Sequence, residues 1–225
     1  MENEKLEQII DAVNDGTGKD WIFLRPLMTN VSIARVWTIY PNGNIAYDSG
    51  YIFYFIHAES GQCVATISDM GPSNLHVYVK ESHRRLGLMT RALHDVVLPH
   101  LFLGGRKEQK ATFESEAARG LLEKVGFSIM DKGNAVIPKD RVPSVEFPEI
   151  GTVPFTEERR DALEIRVRTA AGLLCMASEE LMLYPCRALQ KKTAAWAEKT
   201  DDLATQIVDK WWHLPDRIPA DKPGG

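Results

Sequence analysis

The sequence predicts an α+β fold: a mixed, mostly antiparallel central sheet flanked by helices in layers, followed by an α-helical C-terminal extension. Three observations predict it. Between residues 51 and 80 three short apolar runs, the last of them alternating with polar residues, are separated by turns, which is the pattern of adjacent strands. After Lys80 the period shifts to that of helices interleaved with short strands. Beyond Pro138, four prolines (Pro138, Pro143, Pro148, Pro154) give way to apolar residues repeating in steps of four and three.

In chain order, Leu6, Ile9, Ile10 and Val13 predict an amphipathic helix ended by "NDGTG". A strand over "WIFL" is expected to stop at Arg25-Pro26. "TNVSIARVWTIY" fits either a helix, through Ile33, Val36, Trp37 and Tyr40, or a strand, through its β-branched content; the turn "PNGN" follows. "YIFYFIH" and "CVATISDM" flank the hairpin loop "AESGQ", and "LHVYVK" adds a third antiparallel strand. "LMTRALHDVVLPHLF" reads as a helix that Pro99 kinks or ends. "KATF" is a short strand. "SEAARGLLEKVGF" is a helix with Ser115 as N-cap and Gly126 as its stop. "FSIMD" and "NAVIP" close a hairpin around Lys132-Gly133. The organisation expected is therefore a domain over 1–138, a Pro-rich linker over 139–155, and a helical extension over 156–225 ending in a disordered tail. Within the extension, a helix over 156–184 carries a seam of Leu163, Val167, Ala170, Leu174, Ala177 and Leu181. A second helix over 186–199 and a third through "DDLATQIVDKWW" follow.

Composition bounds the function. With 225 residues, 44% of them hydrophobic, the chain can bury a sizeable core. Its net charge of -4 disfavours nucleic acid as a partner. Cys63, Cys175 and Cys186 are odd in number and widely spaced, which argues against a disulfide framework or a zinc site and fits reduced thiols in the cytoplasm. The six histidines form no metal-ligand spacing, so no metal is expected. The acidic start "MENEKLEQII" is not a secretory signal, and no run reaches the roughly 20 apolar residues that span a bilayer.

The stretch "ESHRRLGLM" joins the "LHVYVK" strand to a helix. A helix start carries unpaired amides and the positive end of its dipole, so it attracts anions. Gly87 lets backbone approach a phosphate, and Arg84 and Arg85 add charge; the bland alternative is an ordinary turn with solvated arginines. The order meander, hinge, helix, strand, helix ending "LLEKVGF" resembles the GNAT superfamily of N-acetyltransferases over residues 21–138. The family's cofactor motif, R/Q-x-x-G-x-G/A, stands here as Arg84-Arg85-Leu86-Gly87-Leu88-Met89, preceded by Val79. Its second signature stands as Leu122-Glu123-Lys124-Val125-Gly126-Phe127. The resemblance implies that acetyl-CoA or another acyl-CoA is the co-substrate. It implies that backbone groups of Val77 and Val79 pair with the pantetheine arm, and that amides from Arg84 to Met89 hold the pyrophosphate. The "KATF" strand would splay from "LHVYV" to open a cleft for the thioester.

Three positions depart from the family pattern. Met89 stands where Gly or Ala is usual, and either crowds the phosphate or points aside into the core. Ser115 stands where an asparagine helps hold the cofactor, and either substitutes for it or caps its helix. Leu122 replaces the tyrosine that protonates the departing thiolate. The positions of the usual base fall on Ser73 and Leu75, neither of which can serve. His76 and Tyr78 have the opposite parity and are expected on the other face of the sheet, packed and hydrogen-bonded; Asp69 could act only through water.

The expectation is an N-acyltransferase that passes an acetyl group to a small-molecule or protein amine by direct attack. The rival reading is a catalytically silent module that binds a protein partner or builds an assembly through its helical extension. The seam packs on the chain itself or forms a homodimer or partner interface through 156–213. Trp211-Trp212 reads as an anchor for the tail, or as part of a partner patch.

Overall fold

The computed structural model describes residues 2–18, 21–37, 50–131, 133–148 and 155–214. The turn "PNGN", Tyr40, Lys132, Pro154 and the tail "DRIPADKPGG" lie outside the described residues. The chain divides into two compact units, Met1–Gly151 and Thr152–Gly225.

The first unit is α+β, with antiparallel sheets flanked by helices. Helix α1 (Asn3–Asn14) buries Leu6, Ile9 and Ile10 completely, as its apolar spacing requires. Strands β1 (Arg25–Met28), β2 (Val31–Val36), β3 (Tyr51–His57), β4 (Cys63–Asp69) and β5 (Leu75–Val79) form one five-stranded sheet in sequence order. Two expectations change here. "WIFL" is not a strand: only Ile22 bridges to Val36, and β1 begins at Arg25 and contains Pro26. Pro26 is tolerated because β1 is an edge strand, where a missing N–H costs no ladder bond. The ambiguous segment resolves as β2, its Val31, Ile33 and Val36 buried.

Strand β4 is buried along nearly its whole length because both faces of the sheet are covered. On one face α1 packs on Phe53, Phe55, Cys63 and Tyr78. On the other, Tyr54, Ile67 and Leu75 meet a helical run made of α2 (Leu88–Ala92), a π turn (Leu93–Val97) and α3 (Leu98–Leu103). Pro99 does not end this run. It lacks the N–H that an α-turn would use, and the wider π turn just before it accommodates the loss.

Strand β6 (Glu108–Thr112), α4 (Glu116–Val125), β7 (Ser128–Asp131) and β8 (Asn134–Pro138) follow, with β6, β8 and β7 in a second, antiparallel sheet. Ser115 caps α4, its Oγ accepting from the Ala118 amide at 3.2 Å, and Gly126 closes the helix at φ 104°. Past Pro138 the chain stays on this unit: Val142 and Phe147 pack against its core, and the His100 and Phe147 rings meet edge to face at 5.3 Å.

The second unit is a helical hairpin of α5 (Glu157–Leu181) and α6 (Arg187–Trp212). The two helices expected after Cys186 are one continuous helix, because nothing between Lys199 and Asp201 breaks it. The contact seam also differs from expectation. The buried residues are Arg160, Ala171 and Ser178 on α5 and Ala197, Ala204 and Trp211 on α6. The helices meet through small side chains one position round from the leucine stripe.

Candidate functional site

The two sheets of the first unit meet at a fork. The connection after β4 runs alongside β6: the Lys110 amide donates to the Pro72 carbonyl at 2.8 Å, and Gln109 Nε2 donates to the Gly71 carbonyl at 3.0 Å. Asn74 stands at the vertex. Its Oδ1 accepts from the Thr112 amide at 3.0 Å and from the Leu75 amide at 2.9 Å, and its Nδ2 donates to Thr112 Oγ1 at 3.1 Å. Beyond this residue β5 and β6 belong to separate sheets and each is an edge strand. Asp69 braces the root: one oxygen takes the Arg106 guanidinium and the other accepts from the Gly71 amide at 2.8 Å. Gln109, fully buried, completes this network with Arg106.

A cleft of about 480 Å³ lies at the fork, bordered by Asn74, His76, Val77, Phe113, Leu122 and the N-terminal turn of α1, Glu4 included. The phase of β5 is set by the Lys80 amide, which donates to the Val64 carbonyl at 2.9 Å. In an antiparallel ladder the hydrogen-bonding direction alternates. The backbone groups of His76 and Tyr78 therefore turn toward β4, and those of Val77 and Val79 turn toward the open edge. Arg84 Nε already uses the Val79 carbonyl, at 3.2 Å.

The edge leads directly into the hinge. A short 3-10 turn (Glu81–His83) is followed by two left-handed residues, Arg85 at φ 65° and Gly87 at φ 73°. Gly87 is the N-cap of α2 and offers no side chain to its amides. A Cβ on Gly87 would meet only the Arg91 guanidinium, at 3.9 Å, so the glycine is required by its backbone angle rather than by crowding. Arg84, Arg85, Leu86 and Gly87 are exposed, Leu88 is half-buried, and Met89 is 6% exposed in the core. Of the two readings of Met89, the structure takes the second: the thioether points into the protein, away from the amides. Left-handed residues leading into a helix start are a setting in which backbone N–H groups can gather about an anion.

The remaining candidates separate. His76 borders the cleft, its Nε2 3.3 Å from Asn3 Oδ1, and burial lowers its pKa below the usual histidine value. Tyr78, two residues on and so on the same face of β5 as His76, packs with α1, as the parity of both residues predicts, and burial raises its hydroxyl pKa. Neither Tyr78 nor Asp69 borders the cleft. The Ser115 hydroxyl is engaged in its helix cap. Leu122 is buried and lines the cleft wall. Sequence reasoning missed Asn74, Arg106 and Gln109. "GPSN" signals a turn, and nothing local says that its last residue holds two sheets together. Among the described residues no group of three or more His, Cys, Asp or Glu side chains is placed to hold a metal ion, and no helix is long and apolar enough to cross a membrane.

No family model matches this chain, and no curated protein matches it. Among solved structures it is similar to a protein titled "Putative GnaT-family acetyltransferase from Bordetella pertussis", at 18% identity and a TM-score of 0.31. The match covers 38% of this chain and 64% of that protein, so this chain spans less than two thirds of its length.

Proposed function

We propose that the chain is an acyl-CoA-dependent N-acyltransferase, with the thioester in the fork between β5 and β6 and the pyrophosphate at the Gly87 hinge. One observation carries the reading: the open edge of β5, at Val77 and Val79, runs straight into a glycine-capped helix start flanked by Arg84, Arg85 and Arg91. An extended arm bearing amides and ending in a pyrophosphate matches that sequence of groups in one line.

In the reaction proposed, the nitrogen of a neutral amine attacks the thioester carbonyl. A C–N bond forms, the C–S bond breaks, and its electron pair leaves on sulfur as the thiolate. Orientation in the fork supplies most of the rate, and the edge amides of β5 polarise the carbonyl. His76 takes the proton released by the amine. Burial keeps its imidazole neutral near pH 7, as a base requires. Leu122 offers no proton to the leaving thiolate, which departs as such or takes a proton from water.

The rival reading, a silent module serving as a scaffold, is favoured by Leu122 and by the apolar side chains exposed on the helical hairpin. Calorimetric titration with acetyl-CoA decides between them. The wild type should bind, Gly87→Asn should retain binding because asparagine tolerates the left-handed region, and Gly87→Glu should weaken it at least tenfold, about 1.4 kcal/mol. If the wild type shows no binding at near-millimolar acetyl-CoA, the transferase reading fails and the scaffold stands. Thiol release with a panel of amines then tests turnover.

A further inference from the structure

Apart from Arg160 and Trp211 at its open end, the hairpin of α5 and α6 uses small residues for its own contact and leaves most of its large apolar ones partly or largely exposed. On α6, Leu189, Trp196 and Leu203 recur every seventh residue and are 52%, 55% and 48% exposed. Thr193, Thr200 and Ile207 fall between them, so the stripe steps by four and three, the spacing of a coiled-coil seam. On α5, Leu163, Val167, Ala170, Leu174, Ala177 and Leu181 step in the same way.

Both stripes lie on one side of the hairpin. At 100° per residue, each is rotated from its helix's buried seam by less than a quarter turn or so, in the sense opposite to Arg168 on α5 and Asp201 on α6. Arg168 and Asp201 pair across the hairpin at 2.7 Å, which fixes the polar side. The stripes therefore share the other side and form two rails. Between them runs a trough floored by the smaller Val167, Thr193 and Thr200.

The charges are sorted about this face. Arg159 and Arg166 border the α5 rail, and Lys192, Lys199 and Lys210 border the α6 rail. Asp161, Glu164, Glu198 and Asp202 fall toward the opposite side. Twenty-five residues of helix run about 37 Å, and two helices roughly 10 Å across with axes roughly 9 Å apart present a face about 19 Å wide, on the order of 700 Å². With an equal share from a partner this reaches roughly 1,400 Å², the size of a specific interface.

We infer that this trough docks an acidic amphipathic α-helix of a partner protein, whose apolar seam seats between the two rails while its flanking carboxylates meet the basic borders. Seven-residue spacing on both rails calls for a helix rather than an extended peptide. The basic borders decide against a second copy of this chain, since a facing pair of hairpins would set lysine and arginine rows against each other.

The test uses the full chain and a defined probe: a fluorescein-labelled four-heptad peptide with Leu at a and d and Glu at e and g, beside a twin carrying Lys at e and g. Anisotropy should show the Glu peptide binding at least tenfold tighter than the Lys twin, and more weakly as salt rises. Trp196→Glu should lower its affinity at least tenfold, and Lys192→Glu with Lys199→Glu should reverse the preference. All three positions are exposed, and far-ultraviolet circular dichroism checks that the variants stay folded. No binding of the Glu peptide, or equal binding of the twins, overturns the inference. A dimer in light scattering that Trp196→Glu dissociates overturns it in favour of a second copy. Retention on phosphatidylglycerol vesicles without peptide binding overturns it in favour of an anionic membrane.

Discussion

Asn74 holds the fork with one side chain, which makes it the residue on which the cleft depends most. Its Oδ1 takes two backbone amides, Thr112 and Leu75, one from each of the strands that part here. Asn74→Ala should lower the unfolding free energy by about 0.5–1.5 kcal/mol, since it strands one partly buried donor and one exposed donor, measured by urea unfolding; a change below a few tenths would mean that water replaces the side chain freely. Asn74→Asp keeps the acceptor and should recover most of the loss. Histidines argue the pH dependence. Burial lowers the folded-state pKa of His57, His76 and His100, each below its unfolded value near 6.5. As pH falls through that value the unfolded chain takes up protons that the folded chain refuses, so stability is present above it and lost below it. The thermal midpoint should therefore fall between pH 7 and pH 5.5. His100→Gln should flatten that slope, since His100 Nδ1 lies 2.9 Å from the buried Tyr54 hydroxyl, which donates to it while the ring is neutral. A midpoint that stays level across this window would refute the assignment. Some residues were legible from sequence and some were not. The opposite parity of His76 and Tyr78 on β5 follows from the two-residue period alone, as does the Ser115 cap from its position before a helix. Asn74 and the Asp69–Arg106 pair were not legible, because their partners lie 37 and 38 residues away along the chain.

The hinge is the element where backbone conformation and proposed function coincide. Gly87 sits at φ 73° with only the Arg91 guanidinium, 3.9 Å away, where a Cβ would be, so substitutions there separate strain from bulk. Gly87→Ala should cost about 1–2 kcal/mol because an L-residue resists the left-handed region, and Gly87→Asn less, by thermal unfolding. Both leave the amides in place, so acetyl-CoA binding that survives both changes while Gly87→Glu loses it would show that the backbone itself is the ligand. Equal stability for glycine and alanine would mean that the turn rearranges. The strands of the meander were legible because short apolar runs bounded by turn residues are a local signal. The run from Leu88 to Leu103 was legible as a helix, but not its π turn, because proline's missing donor can be met either by ending a helix or by widening one turn. "WIFL" misled because an apolar run of four is the same length as a strand, whereas the sheet needed β1 to pair with β2 across the tight turn at Thr29 and Asn30, and Asn30 takes the left-handed conformation that turn demands.

At the scale of the molecule, the two units are built on unequal cores. Both large apolar clusters lie in the first unit, where two faces of one sheet are covered. The hairpin buries Ala171, Ser178, Ala197, Ala204 and Trp211 between its two helices. Its close approach rests on small residues, while Arg160 stacks on Trp211 at 4.4 Å and Trp211 Nε1 donates to the Phe155 carbonyl at 2.6 Å to tie its open end. The seam of leucines read from the sequence marks a helix with an apolar stripe, but periodicity cannot say which of two adjacent stripes a hairpin closes; small residues allow the backbones to approach, and that settled the choice. Burial of apolar area is the main stabilising term, so the hairpin should unfold first. Urea unfolding followed at 222 nm, where α5 and α6 contribute 25 and 26 helical residues, should show an early phase. Tyrosine signal from the buried Tyr54 of the first unit should change only in the later one. Ala204→Leu forces a branched side chain into a contact that is fully closed, and should shift the early phase by about 1–3 kcal/mol while leaving the late phase in place. Leu203→Ala, one residue away but 48% exposed, should move neither by more than a few tenths. Coincident transitions by both probes, or a late phase that follows Ala204→Leu, would show instead that the hairpin and the first unit unfold as one body.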